Sequence, residues 1–90
     1  MPSSYRFVAT GQVQGVGFRE SARRKAAQLG ITGWIANRAD GAVEGLAHGD
    51  DGALGRFHTW LGDGPPLARV LTLDWTRSDE PPPRGFEVRR

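Results

Sequence analysis

The sequence predicts an α+β sandwich in which two helices pack on one face of an antiparallel sheet, with a short extra strand near the C-terminus. Three observations carry that expectation. Two segments place apolar residues at intervals of three and four, the spacing of a helix. Other runs cluster aromatic, β-branched and aliphatic residues as strands do, two of them in clear alternation. Glycine, proline and Asp-Gly breaks separate these segments, so the order reads β-α-β-β-α-β with one more strand behind it.

Residues 5–10 read as the first strand, with Tyr5, Phe7 and Ala9 on one face. A glycine loop follows. Over residues 19–29, and counting Phe18, the positions Phe18, Ala22, Ala26 and Leu29 make one helical stripe. Glu20, Arg23, Arg24 and Gln28 lie off it, and Gly30 is the natural C-cap. Residues 31–38 form strand two around Trp34-Ile35-Ala36, Asp40-Gly41 signals a hairpin, and 42–47 return as strand three. Asp50 or Asp51 can cap a second helix whose Leu54, Phe57 and Leu61 share a face. Gly52 and Gly55 weaken that helix, so tertiary packing must hold it. Gly62-Asp63-Gly64-Pro65-Pro66 stops it. Residues 69–76 make strand four, with Leu71, Leu73 and Trp75 alternating, and after the rigid turn Pro81-Pro82-Pro83 a short strand spans 85–88. Two β-α-β halves in this order are a ferredoxin-like sandwich. No linker or repeat interrupts it, and residues 1–90 are expected to form a single domain.

Composition narrows the function. Ninety residues, 38% of them hydrophobic, support one modest core and a thin stability margin. Without cysteine there is neither a disulfide nor a thiolate metal cage, which fits a reducing compartment. Met1-Pro2-Ser3-Ser4-Tyr5-Arg6 lacks the apolar stretch of a secretory signal, and no run approaches the roughly 18 apolar residues of a membrane span. A cytoplasmic protein with no membrane partner is expected. Twelve basic against ten acidic residues is a mild excess, partly local at Arg19, Arg23, Arg24 and Lys25 and at Arg89-Arg90. It reads as a solvated helix face, short of a phosphate-backbone footprint, so no nucleic-acid partner is expected. Nothing demands more than a monomer.

Val13-Gln14-Gly15-Val16-Gly17-Phe18-Arg19 joins the first strand to the first helix and is the densest chemical signal in the chain. Glycines let successive amides turn inward into an anion-holding nest. The helix N-terminus adds partial positive charge, and Arg19 supplies a planar, permanently charged fork. An arginine at that end of a helix is electrostatically misplaced unless an anion sits between them. Spacing excludes three other phosphate loops. A Walker A loop needs Gly-Lys-Ser/Thr where Gly17-Phe18-Arg19 stands, a dinucleotide fingerprint needs glycine in place of Glu20, and a cysteine phosphatase needs a thiolate. The stretch offers no nucleophile of its own. Taken alone, these residues also fit a bare strand-to-helix turn with Arg19 in solvent.

Gly11-Gln12-Val13-Gln14-Gly15-Val16-Gly17-Phe18-Arg19 resembles the phosphate-loop signature of the acylphosphatase family. Gly33-Trp34-Ile35-Ala36-Asn37, followed by Asp40-Gly41-Ala42-Val43-Glu44-Gly45, is similar to that family's second-strand signature and hairpin. Gly64-Pro65-Pro66, Ala68-Arg69-Val70 and Gly85-Phe86-Glu87-Val88 also resemble family positions, so the likeness covers nearly the whole chain. It implies the same sandwich. It also implies hydrolysis of the carboxyl-phosphate bond of small acyl phosphates to carboxylate and inorganic phosphate, without metal or cofactor. Matched motif to motif, Arg19 is the phosphate-binding arginine, Asn37 the residue that positions the attacking water, and the amides of Gln14, Gly15, Val16, Gly17 and Phe18 the cradle. Two departures stand out: Gln12 where a basic residue is common, and Glu20 where aromatic or basic residues are frequent. Glu20 is expected to face solvent and favour the helix N-terminus.

Such a site suffices chemically. The carboxylate of an acyl phosphate leaves readily, and a loose transition state spreads charge over three phosphoryl oxygens, so orientation and charge stabilisation outweigh a strong base. Asn37 cannot act as a base near neutral pH but can fix a water's line of approach. Read without the resemblance, it is a strand-end residue bonding its own backbone. His48 and His58 have no metal-ligand spacing to a carboxylate or Cys and are assigned to surface or packing roles. Two other function classes remain open: a non-catalytic module binding acyl phosphate or carbamoyl phosphate, and an RNA-binding module of the same strand order. The latter needs exposed aromatics on its central strands, and strand three has none.

Overall fold

The computed structural model describes residues 1–90. Its elements are β1 (Ser3–Gln12), α1 (Phe18–Leu29), β2 (Thr32–Asn37), β3 (Val43–Gly49), α2 (Asp51–Asp63), β4 (Arg69–Arg77) and β5 (Phe86–Arg89). The sheet runs β4-β1-β3-β2-β5. Because β3 lies between β1 and β2, and β1 between β3 and β4, each β-α-β half is split by a strand of the other. That is the expected ferredoxin-like arrangement.

Each of the four long strands is antiparallel to its neighbours among them, whereas β5 runs parallel to β2, Gly33 opposite Phe86 and Ala36 opposite Arg89. Chain length explains the direction. From β4 to β5 the chain crosses four strand spacings, about 19 Å, with the eight residues 78–85, which reach at most about 28 Å. Little slack remains to run the length of the sheet. β5 therefore starts at the end where β4 stops and points along β2.

The helix-facing side of the sheet presents Phe7, Ala9, Ile35, Val43 and Ala47 to Phe18, Ala22 and Ala26 of α1 and Leu54, Phe57 and Leu61 of α2, all buried. Phe57 meets Phe7 edge-on at 6.1 Å and Phe86 at 5.8 Å, tying α2 to both β1 and β5. Gly45 makes that core possible, since a Cβ there would strike the Trp34 carbonyl oxygen and the Phe7 ring. On the other face Trp34 is covered by the guanidinium groups of Arg6, 5.0 Å from its ring, and Arg89, 4.7 Å from it. Glu80, from the 78–85 connection, accepts from Trp34 Nε1 at 3.0 Å and from Arg6 Nη1 at 3.2 Å.

Two expectations are corrected. Leu71 does not alternate inward with Leu73 and Trp75; it is 73% exposed. β1 and β4 slip register at Thr10/Gly11, where Thr10 opposes Thr72 and Gly11 opposes Val70, so Leu71 is the extra residue of a bulge. Val70 takes its place against the core. Asp50 occupies the N-cap of α2 in extended backbone, but its side chain caps no amide. His58 stacks on Trp75 at 4.5 Å and His48 Nδ1 lies 2.7 Å from Ser4 Oγ, both packing roles. No helix is long and apolar enough to cross a membrane.

Candidate active site

The β1–α1 loop is set by its glycines. Gly15 (φ 74°) and Gly17 (φ 77°) are left-handed, which any side chain would strain, and the space where a Cβ would stand is open at both. Between and around them, apolar residues anchor the loop: Val13 is buried, Val16 packs against the core, and Phe18 inserts between the helices, 5.7 Å from Trp60. Gly17 is the N-cap of α1 and so brings no side chain to its first turn. None of the amides of Gln14, Gly15, Val16 and Gly17 donates to a backbone carbonyl. The segment thus presents main-chain donors at the positive end of a helix.

Those donors open on a cavity of about 200 Å³ lined by Gly15, Gly17, Arg19, Glu20, Asn37 and Val88, with Val13 and Phe18 behind. At about 30 Å³ per liquid water it holds roughly seven waters, enough for a phosphoryl group and part of an acyl chain. Arg19 is half-buried at its wall, and Nη1 donates to the Arg89 carbonyl oxygen at 3.1 Å. Of the α1 arginines it is the one without a carboxylate. Arg23 holds Glu20 through Nε at 2.9 Å and Nη2 at 2.5 Å, and Arg24 Nε approaches at 3.4 Å. The Arg23 hydrogen bonds, with Arg24 adding to them, pull the Glu20 carboxyl down to about 2. Glu20 is half-exposed as expected, yet it also borders the cavity.

Asn37 ends β2, and its carboxamide makes no hydrogen bond within the protein. The turn is closed instead by Asp40, whose Oδ1 accepts from the Ala42 amide at 3.1 Å, while Arg38 Nη2 donates to Oδ2 at 2.7 Å. The Ala42 amide, helped by Arg38, holds the Asp40 carboxyl below its usual range. Asn37 is thereby left facing the cavity that Gly15, Gly17 and Arg19 line. Of the residues expected from sequence, Gly15, Gly17, Phe18, Arg19 and Asn37 meet there. The side chains of Gln14 and Val16 turn elsewhere, Gln14 Nε2 toward the Arg38 and Ala42 carbonyls. Sequence reasoning missed Val88 and the Arg89 carbonyl. The closing Gly85-Phe86-Glu87-Val88 pattern pointed to the strand, but a main-chain acceptor has no residue identity to read.

Fold and cavity together define an α+β sandwich whose glycine-bearing strand-to-helix loop, Arg19 and Asn37 open on one small cavity. The acylphosphatase family model matches residues 5–88. A curated acylphosphatase of Alkalilimnicola ehrlichii is 49% identical over 88 residues, covering 98% of this chain and 99% of its own. The solved acylphosphatase of Coxiella burnetii superposes with a TM-score of 0.93 at 38% identity, over 98% of this chain and 93% of that one. That of Bacillus subtilis superposes at 0.89 with 34% identity over the full length of both. The chain belongs to the acylphosphatase family, and its activity is that of an acylphosphatase, a hydrolase.

Proposed function

We propose that this site hydrolyses small acyl phosphates with Arg19 and the amides of residues 14–18 holding the phosphoryl group and Asn37 aiming water at it. The observation that carries the reading is the convergence of Gly15, Gly17, Arg19 and Asn37 on one small cavity. Arg19 spends one Nη1 hydrogen on the Arg89 carbonyl and keeps its remaining N–H groups for phosphoryl oxygens. The carbonyl also fixes the plane of the guanidinium. As the C–O–P linkage loosens, charge spreads over oxygens already surrounded by fixed donors, which need no reorganisation.

Water is the nucleophile. The free Asn37 carboxamide accepts one of its hydrogens and sets its approach, and the proton passes to a non-bridging oxygen of the phosphoryl group. No general base takes part, and neither metal nor cofactor is required. The products are carboxylate and inorganic phosphate. All residues used come from one chain, and we take residues 1–90 to act as a single-domain monomer in the cytoplasm, with no nucleic-acid or membrane partner.

Turnover of benzoyl phosphate in chelator tests this. Wild type should be active, with a flat rate profile between about pH 5 and 7, where a histidine base would titrate. Asn37→Ala should remain folded and lose roughly 100-fold in kcat. Full-rate hydrolysis by Asn37→Ala, or a histidine-like titration, would sink the water-positioning role.

A further inference from the structure

Gln14 stands between the two halves of the site. We propose that its side chain sets the spacing between the phosphate cradle and the water held by Asn37, an inference that rests on the roles given above to Arg19 and Asn37. Nε2 donates to the Arg38 carbonyl at 2.8 Å and to the Ala42 carbonyl at 3.0 Å. Both partners are acceptors, so only the amide nitrogen can face them, and both of its hydrogens are used. Gln14 directly precedes Gly15, the first left-handed residue of the cradle, and Arg38 directly follows Asn37. The pair of bonds therefore joins the side chain of the first cradle residue to the neighbour of the water-holding carboxamide.

The hairpin itself does not need them. Arg38 O also accepts from the Gly41 amide at 3.2 Å, and Ala42 O from the Arg38 amide at 2.8 Å. Asp40 secures the turn from its other side. Removing the Gln14 donors thus leaves neither carbonyl without a partner, the circumstance in which losing a hydrogen bond costs least. What disappears is the tie between loop and hairpin, since no other hydrogen bond links residues 13–17 to residues 37–42. Attack requires the water about 3–3.5 Å from phosphorus and in line. Gln14 is a positioning residue: its side chain touches neither substrate nor water.

Gln14→Leu, which keeps the bulk and removes the donors, should lower kcat roughly 10- to 100-fold. KM and competitive inhibition by inorganic phosphate should stay at wild-type values, because the cradle is intact. Gln14→Asn, one methylene too short to reach both carbonyls, should fall between and serves if the leucine variant folds poorly. The decisive measurement repeats each change in an Asn37→Ala background. With the water no longer held, the Gln14 substitution should cost nothing further, the non-additivity expected of residues acting through one another. An equal loss in both backgrounds, weakened phosphate inhibition, or an unchanged kcat would overturn the proposal. If Asn37→Ala alone keeps full activity, the role of Asn37 has failed and this proposal falls with it, an outcome plainly distinct from the other three.

Discussion

Replacing Arg19 by alanine should separate catalysis from folding. The side chain's hydrogen bond to protein is the one to Arg89 O, at 3.1 Å and exposed, and it makes no ion pair. Losing such a bond costs about 0.5–1 kcal/mol. Removing a cation from the positive end of α1 acts the other way, by about 0.3–1 kcal/mol. The two nearly cancel, so the melting temperature of a chain this size should move by no more than roughly 5 °C. The transition state loses more. A donor aimed at developing oxyanion charge contributes about 3–4 kcal/mol, so kcat/KM should fall roughly 100- to 1,000-fold. A third readout isolates the binding role. Inorganic phosphate at ten times its dissociation constant should stabilise wild type by about 1.4 kcal/mol, raising its melting temperature by roughly 6–11 °C. At the same phosphate concentration, Arg19→Ala should lose most of that rise. Benzoyl phosphate hydrolysis and thermal melts followed by circular dichroism supply all three. A variant that melts with wild type, keeps the phosphate shift and hydrolyses within about tenfold of wild type would refute Arg19 as the phosphoryl-binding group.

Three further outcomes follow from the packing and charges. Gly45→Ala drives a Cβ into the Trp34 carbonyl and the Phe7 ring and should cost about 3 kcal/mol or more in urea unfolding. Val70→Ser should destabilise clearly, whereas Leu71→Ser should stay within about 0.5 kcal/mol of wild type; reversed effects would contradict the bulge. Glu20 has a folded pKa near 2, below its ordinary value of 4.5, because of its bonds to Arg23. Its stabilising contribution is therefore complete above the ordinary value and lost as pH falls toward 2. The melting curves of wild type and Glu20→Gln should converge through that window, and a constant gap down to the acid end would argue against the ion pair.

Much of this protein was legible because its signals are local. The stripe Phe18, Ala22 and Ala26 sits at intervals set by helix geometry alone, and the helix it predicts faces the core with those residues. The two glycines before Arg19 could be read as a tight turn into a helix because left-handed backbone and helix polarity both follow from neighbours in sequence. Asn37 could be named only through the family pattern. Its own surroundings allowed a turn-capping role, which the structure gives to Asp40.

The remainder depended on which segments meet. Periodicity put Leu71 inward, but a register slip is decided by the partner strand, and Gly11 on β1 moved the inward face to Val70. The direction of β5 came from how far eight residues can stretch across a sheet whose strand order was not visible in the chain. Arg19 is held by a carbonyl 70 residues away, and Gln14 by two carbonyls 24 and 28 residues on. Sequence by itself determined the elements, the faces of the helices and the glycine turn ahead of α1, since these rest on covalent neighbours and repeat distances. Tertiary structure alone decided the register, the last strand and the backbone acceptors that aim the side chains. A carbonyl is the same at every position, and only folding chooses which one a guanidinium or carboxamide finds.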